Sequence, residues 1–442
     1  MEFPLWYVPF ITAPMLIPLV AVPHVIVAQF AVGAGILLAD LVRRARRDNR
    51  IDTLNYLRGL TRFFVLITLV FGAVTGVGIW WTIGLASPET TSALIHIFLF
   101  GWGAEWAAFI VEITAAFAFY YLWDDVTPRE HIIMGWIYAG AAWVSLVLIT
   151  GITSFMLTTG DWQPEQGFFS AFFNPSFLPQ TLLRTGGSIV IAALGIEFHA
   201  SFRSDRSDIK DLVVRAVSQW ATAGMVLIAL GAVWYILTMP DHAKLNLMRA
   251  PILLAMTALN FAVTLVVIAA LAWGLASGAR WLTPPSALLL LLAGAVATTT
   301  GEFIREGSRK PYRIENYVIA PGVLIKQVPA FQRDGFVAHS RWLRFYLRTA
   351  ATAAEQANLA TFEKSSRTKV GEGIYQYHCT SCHAFYGYNG IIPIIYPWTP
   401  ELIADAVRNL HRTNPAMPPW LGTAAERDLL AAYLVQLNHE AH

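Results

Sequence analysis

Eight apolar stretches, each long enough to cross a bilayer, limit this chain more than any other feature. They lie near 10–40, 61–86, 92–122, 131–158, 178–202, 212–238, 252–277 and 285–304. A spanning helix needs about 20 mostly apolar residues, because hydrocarbon offers backbone N–H and C=O groups no partner except one another. The runs therefore predict a polytopic helical bundle. Composition agrees, with 56% hydrophobic and 14% charged residues and a mean hydropathy of +0.50. Sixteen tryptophans suit interfacial belts. The first run is too long for a cleavable signal and ends in no small-residue cleavage site. A net charge of +2 says little about partners, and the sequence shows no nucleic-acid-binding patch, so nucleic acid is not an expected partner.

The loops give an orientation. Arg43, Arg44, Arg46, Arg47, Arg50 and Arg58 follow the first span, and the loop near Arg203–Arg215 is also basic, whereas Ser87–Thr91 has no Lys or Arg. By the positive-inside rule the first two are cytoplasmic. Both termini then lie outside a bacterial cytoplasmic membrane.

Ionisable groups inside spans are costly and commonly line a cofactor, ion or proton path. Here they are His24, His96, Glu105, Glu112, Glu197, His199 and Glu302. Glu105 and Glu112 are two helical turns apart and share a face, which suits proton relay or a structural bond to a neighbouring helix. His24, His96 and His199 are candidate metal ligands, with ordinary packing or solvation as the alternative for each.

Beyond the spans the chain reads Cys379-Thr380-Ser381-Cys382-His383, which contains its only two cysteines. Cys-x-x-Cys-His is the attachment signature of a c-type haem: the thiols add to the vinyl groups and His383 reaches the iron. A structural zinc site would need four ligands. Met417, in Ala416-Met417-Pro418-Pro419-Trp420, is the candidate sixth ligand, with His411 as its rival. Thr423 and Glu426 have capping-box spacing and predict a final helix. Residues Thr361 to His442, with Gly371 and Tyr375 ahead of the motif, resemble a small class I cytochrome c. One covalent haem c is the cofactor this resemblance implies. Haem attachment outside the cytoplasm fits the orientation read from the loops.

The membrane part resembles subunit I of the cytochrome bd quinol oxidases. The resemblance rests on His24, on Arg62-Phe63-Phe64 through Gly72-Ala73-Val74-Thr75-Gly76, and on Glu105 through Glu112 to Trp123-Asp124. Asn174-Pro175 and Glu306-Gly307-Ser308-Arg309-Lys310-Pro311-Tyr312 also carry it. It implies that His24 ligates haem iron and that Glu306 supplies a carboxylate ligand to the oxygen-reducing pair. Glu105 and Glu112 match acidic residues near the haems and on a proton route, although their spacing is one residue shorter than the family's. Arg309 is expected to pair with haem propionates. One or more haems b or d and a second membrane subunit are likewise implied.

The departures matter as much. The family's low-spin haem histidine is Gln180 here, and its methionine partner could only be Met248. The long quinol-binding loop between spans six and seven is reduced to Met239–Pro251. The expected architecture is all-α: a transmembrane domain over 1–313, an extracytoplasmic tether over 314–360 containing an Ala-rich spacer at Thr349–Ala360, and a cytochrome c domain over 361–442. The expected function is a cytochrome c-linked, bd-like terminal oxidase subunit, served by a soluble or peripheral redox partner at the outer face. Protons would arrive past Asp124, Asp125 and Glu112. The alternatives are a non-oxidase electron-transfer subunit and a haem-free membrane anchor for the c domain.

Overall fold

The computed structural model describes residues 6–8, 10–203, 207–277, 279, 281–348 and 364–441. Among them, eight helices are long and apolar enough to cross a membrane: Ala13–Arg47, Ile51–Ala86, Leu99–Tyr121, Pro128–Ser154, Phe177–Ser201, Asp208–Thr238, Pro251–Ser277 and Pro284–Ser308. They correspond to the eight apolar stretches. In chain order the first helices are α1 (Leu16–Arg47), α2 (Ile51–Val65), α3 (Gly72–Ala86), α4 (Pro88–Ile97), α5 (Leu99–Tyr121) and α6 (Pro128–Ser154). After the short helix α7 (Gly167–Phe172) come α8 (Phe177–Ser201), α9 (Ser207–Thr238), α10 (Asp241–Arg249), α11 (Pro251–Ser277) and α12 (Pro284–Ser308).

Two details depart from uniform spans. A π-helical segment, Leu66–Phe71, joins α2 to α3; such segments displace the helix face that follows and recur at functional sites. The third stretch breaks at Phe98, whose φ of −112° and ψ of 29° are not helical, so His96 belongs to α4 and not to the spanning α5.

The chain divides into two compact units. One comprises Ala21–Gly78 and Leu94–Glu306. Its core is carried by α1 and α8, where Leu37, Leu38, Leu41, Ala192, Ala193 and Ile196 are almost fully buried. Many outward residues of the other spans, such as Val77, Phe100, Phe261 and Leu289, are exposed apolar groups, as lipid-facing or partner-facing helix surfaces require.

The other unit comprises Met1–Val20, Ile79–Ala93 and Gly307–His442. Here the stretch after α12 is folded. Three short antiparallel strands, β1 (Tyr312–Ile314), β2 (Val318–Ile319) and β3 (Val323–Leu324), form a sheet in that order. Helices α13 (Val328–Asp334), α14 (Phe336–His339) and α15 (Arg341–Arg348) follow. Phe331, Phe336, Leu343 and Leu347 share one apolar core with Val370, Ile374, Tyr375, Leu430 and Leu434. The expected Ala-rich spacer at 349–360 lies outside the described residues.

The first and last helices of the haem-motif region, Lys364–Ile374 and Ala424–Ala441, cross closely because position 371 is glycine: a Cβ there would lie 2.4 Å from the Leu429 carbonyl oxygen. The expected capping box is present. The Glu426 N–H donates to Thr423 Oγ1 at 3.3 Å, and the Thr423 N–H donates to Glu426 Oε2 at 3.1 Å. Glu426 also accepts from the backbone N–H groups of Phe336 and Val337, each at 2.9 Å. One buried carboxylate thus caps the last helix and holds the start of α14.

Candidate functional site

The Cys-x-x-Cys-His loop begins where the first helix of its region widens into a π turn, Tyr375–Cys379. Cys379 and Cys382 are free thiols, half-buried. Burial, reinforced by Cys382, pushes the Cys379 thiol up to about 12, so in this structure the sulfur is a protonated thiol. The His383 Nδ1 lies 3.0 Å from the Asn389 carbonyl oxygen. A carbonyl can only accept, so Nδ1 carries the proton and Nε2 is left for a metal. Burial holds the His383 imidazole below its ordinary value against the opposing Asn389 bond, which favours the neutral form a ligand needs. Asn389 adopts φ +49°, a left-handed conformation that asparagine tolerates. Its side-chain amide returns to the Cys382 carbonyl at 2.7 Å.

Met417 is half-buried in the loop before the last helix. His411 is exposed, and its Nδ1–H donates to the Met417 carbonyl at 2.9 Å. The rival side chain thus braces the methionine loop. These donors and free thiols fit a covalently held haem.

In the bundle, His24 lies on α1 and its Nδ1 is 3.0 Å from Thr75 Oγ1. The Thr75 hydroxyl donates to the Phe71 carbonyl at 2.7 Å, so it accepts from His24 and leaves Nε2 open. A Cβ at Gly76 would stand 3.2 Å from His24 Cε1; glycine is what lets the imidazole approach α3. This fits an iron ligand with a fixed tautomer.

The acidic pair of α5 is held by α6. Ser145 Oγ donates to Glu105 at 3.0 Å, and the Tyr138 hydroxyl lies 3.2 Å from both Glu112 Oε1 and the Ala31 carbonyl. Asp124 forms an exposed ion pair with Arg58 at 2.6 Å, and Asp125 is exposed. Glu197 is buried and accepts from Ser218 at 3.2 Å. His199 lies 3.1 Å from the Tyr56 hydroxyl and packs on Tyr56 and Phe63. His96 is exposed. Glu306 sits half-buried on the last turn of α12. Arg309, just beyond it, is 5% exposed, and its Nη1 donates to the Arg313 carbonyl at 2.6 Å.

The two positions expected in place of the low-spin haem ligands are not brought together as a ligand pair. Gln180 is buried and its amide donates to Ser176 Oγ at 3.2 Å, while Met248, on the short α10 between spans six and seven, is 64% exposed.

One buried group escapes a search for His and acidic residues alone. Arg184, one turn after Gln180, pairs with Glu302 at 3.3 Å, and Arg305 grips the other oxygen at 2.9 Å. The rule that flags charges in apolar runs would have found Arg184 had it been applied to arginine as well.

Residues 15–259 match the family model for cytochrome bd terminal oxidase subunit I. Residues 366–434 match that for subunit III of cbb3-type cytochrome c oxidase. No curated protein sequence matches the chain. Among solved structures, the bd oxidase from Geobacillus thermodenitrificans is similar with a TM-score of 0.61 at 17% identity, over 70% of this chain and 90% of that one; at that identity the likeness is one of fold. The chain is a membrane protein of the haem-binding respiratory type, and it belongs to the cytochrome bd terminal oxidase subunit I family, with a cytochrome c domain at its C-terminal end.

Proposed function

We propose that this chain is a cytochrome c-linked terminal oxidase subunit that takes electrons at a covalent c haem and delivers them to haem in the membrane bundle, where oxygen is reduced. What supports this reading is that the Gln180 amide is engaged by Ser176 and Met248 is exposed, where the resemblance leads one to expect the low-spin haem ligands, in a chain that carries a Cys-x-x-Cys-His domain. The electron port has moved from quinol to a c haem.

Cys379 and Cys382 would hold the c haem, and His383 and Met417 would bind its iron. His24 and Glu306 are the iron ligands in the bundle, and Arg309 binds propionate. His96 and His199 stay outside this set, one exposed and the other engaged by Tyr56. When bound, the bundle haem, of type b or d, supplies the redox chemistry. The residues of the chain orient the ligand, through Thr75 and Gly76, and move protons, through Glu112 and Glu105, from the side carrying Asp124 and Asp125. A methionine opposite a histidine raises haem potential, as an electron port requires.

The proposed partition is a membrane domain over 1–313, a linking segment over 314–360 and a c domain over 361–442. The protein sits in the bacterial cytoplasmic membrane with both termini outside, beside a second membrane subunit, and receives electrons from a soluble or peripheral donor. The decisive experiment is oxygen uptake by the purified protein with a reduced c-type donor and with quinol. Cyanide- or azide-sensitive uptake with the c donor alone is expected. No uptake, together with exclusively six-coordinate haems that bind no CO, would make the chain an electron-transfer subunit instead.

A further inference from the structure

Glu197, near the end of α8, has no part in the proton route assigned above to Glu105 and Glu112. It is 1% exposed. Its Oε1 accepts from the hydroxyl of Ser218, a fully buried residue of α9, at 3.2 Å. Its Oε2 is buried and has no partner among the described residues. The charged groups of the helices packed around it are engaged elsewhere or exposed. On α9, Lys210 donates to the Leu282 carbonyl, Asp211 accepts from the Ala279 N–H at 2.7 Å, and Arg215 is exposed. On α8, Arg184 pairs with Glu302 and His199 meets Tyr56; on α1, Arg43 and Arg44 hold Asp40. Helix α11 carries no ionisable residue. A lone carboxylate charge in an apolar bundle is costly unless a proton neutralises it.

A second buried polar group faces the same serine. Trp281, in the loop between α11 and α12, has a buried indole N–H with no partner among the described residues. Position 274 of α11 is glycine. A Cβ there would lie 3.6 Å from Ser218 Oγ and 3.7 Å from Trp281 Nε1, and the nearest atom of another element would be Trp281 Cζ2 at 3.4 Å. The Ser218 hydroxyl gives its hydrogen to Glu197, so its oxygen is left to accept, while the indole can only donate. Whatever joins the two must accept from one and donate to the other. A water does both; a metal cation cannot accept, and an aprotic anion cannot donate. Buried waters of this kind are a regular part of folded proteins.

We propose that Glu197 is a proton-binding site whose carboxyl exchanges its proton through Ser218 and a water held between Ser218 and the Trp281 indole. In each transfer the water gives a proton to Ser218 Oγ as Ser218 gives its own to Glu197, and the water regains one from solvent; release runs the same steps backwards. The loop that carries Trp281 is tied to the start of α9 by Lys210 and Asp211, so the route opens at that end of the bundle. The inference uses no haem assignment and stands apart from the reading of the chain as an oxidase.

The test is infrared spectroscopy of the full-length protein while H2O is exchanged for D2O, wild type against Glu197→Gln and Gly274→Ala. The wild type should show a protonated-carboxyl C=O band that shifts down in D2O and is lost in Glu197→Gln. Gly274→Ala places a methyl group in ordinary contact with Ser218 and Trp281, where it displaces the water; the band should remain and exchange more slowly than in the wild type. A carboxyl region unchanged in Glu197→Gln overturns the proposal, because the group would then be ionised. A Glu197 band that exchanges as fast in Gly274→Ala as in the wild type, or that does not exchange in the wild type, overturns it as well. If Glu197→Gln does not accumulate, Ser218→Ala decides: loss of the hydroxyl should move a carboxyl band to higher frequency, and an unmoved band overturns the proposal. No haem signal is read, so failure here leaves the oxidase reading where it stands.

Discussion

The two units use the same device to prepare a histidine, and build it from different materials. His383 gives its Nδ1 proton to the Asn389 carbonyl and His24 gives its own to the Thr75 hydroxyl, both at 3.0 Å. Six residues separate His383 from Asn389, and two thiols beside it bond the cofactor covalently. His24 and Thr75 lie on different helices, 51 residues apart, and Gly76 leaves room for the imidazole beside α3. A contiguous motif tolerates imperfect packing, because covalent bonds keep the haem in place. A site assembled from separate helices depends on each contact that sets their spacing.

That contrast predicts effects of very different size. The largest belongs to the covalent site. Replacing Cys379 and Cys382 by alanine should abolish haem staining of the 48.9 kDa chain on a denaturing gel while the non-covalent haem spectrum persists; a surviving stained band would end the covalent assignment. Next is His24→Ala, for which the CO-reactive component is expected to disappear with the c signal intact. Loss of both signals would mean that the two sites are not independent, and the comparison itself would fail.

Smaller effects should follow from the supporting residues of the bundle. Thr75→Val removes the acceptor of the His24 proton but keeps the volume, and losses of supporting partners of this kind commonly cost 10- to 100-fold in affinity or activity. Gly76→Val should act in the same direction, because its Cβ would crowd His24 Cε1 at 3.2 Å. Haem occupancy and CO affinity measure both. In the C-terminal unit, Asn389→Ala keeps the backbone carbonyl and should leave haem content at the wild-type level. Equal losses in Asn389→Ala and Thr75→Val would contradict the distinction drawn here.

The same contrast governs what the sequence could tell. The eight spans were legible because a lipid-exposed helix must be apolar along its length, and the Cys379–His383 motif because its chemistry is local. The capping box at Thr423 and Glu426 was legible for the same reason. The fold of 314–348 was not: its strands are two or three residues long, and its apolar residues pack on Val370, Ile374, Leu430 and Leu434, far along the chain. Arg184 with Glu302 and Thr75 with His24 were equally hidden, because their partners are set by helix packing and not by spacing. Gln180 shows a middle case, in which the sequence disclosed a missing ligand and the structure supplied the Ser176 bond that now engages it.

The smallest predicted effect concerns two histidines that serve packing. In the bundle, fully buried His131 is satisfied at both nitrogens, by the Phe119 carbonyl at 2.9 Å and by Arg46 at 3.4 Å. In the C-terminal unit, buried His378 has no partner at either nitrogen among the described residues and lies between the rings of Phe336 and Trp420. Burial lowers its pKa from 6.5 to about 4. The unfolded chain therefore binds more protons than the folded one between those values. Stability from this residue is complete above pH 6.5 and falls as pH drops towards 4, because the folded ring must stay neutral. Between pH 6.5 and 5.5 the loss amounts to about 1 kcal/mol. Denaturation followed through the c-haem Soret band should show that slope in the wild type and a flatter one in His378→Phe, which keeps the ring packing and removes the titration. Identical slopes in the two proteins would mean that a water or the haem satisfies His378, and the unit would then resemble the bundle in leaving no buried histidine without a partner.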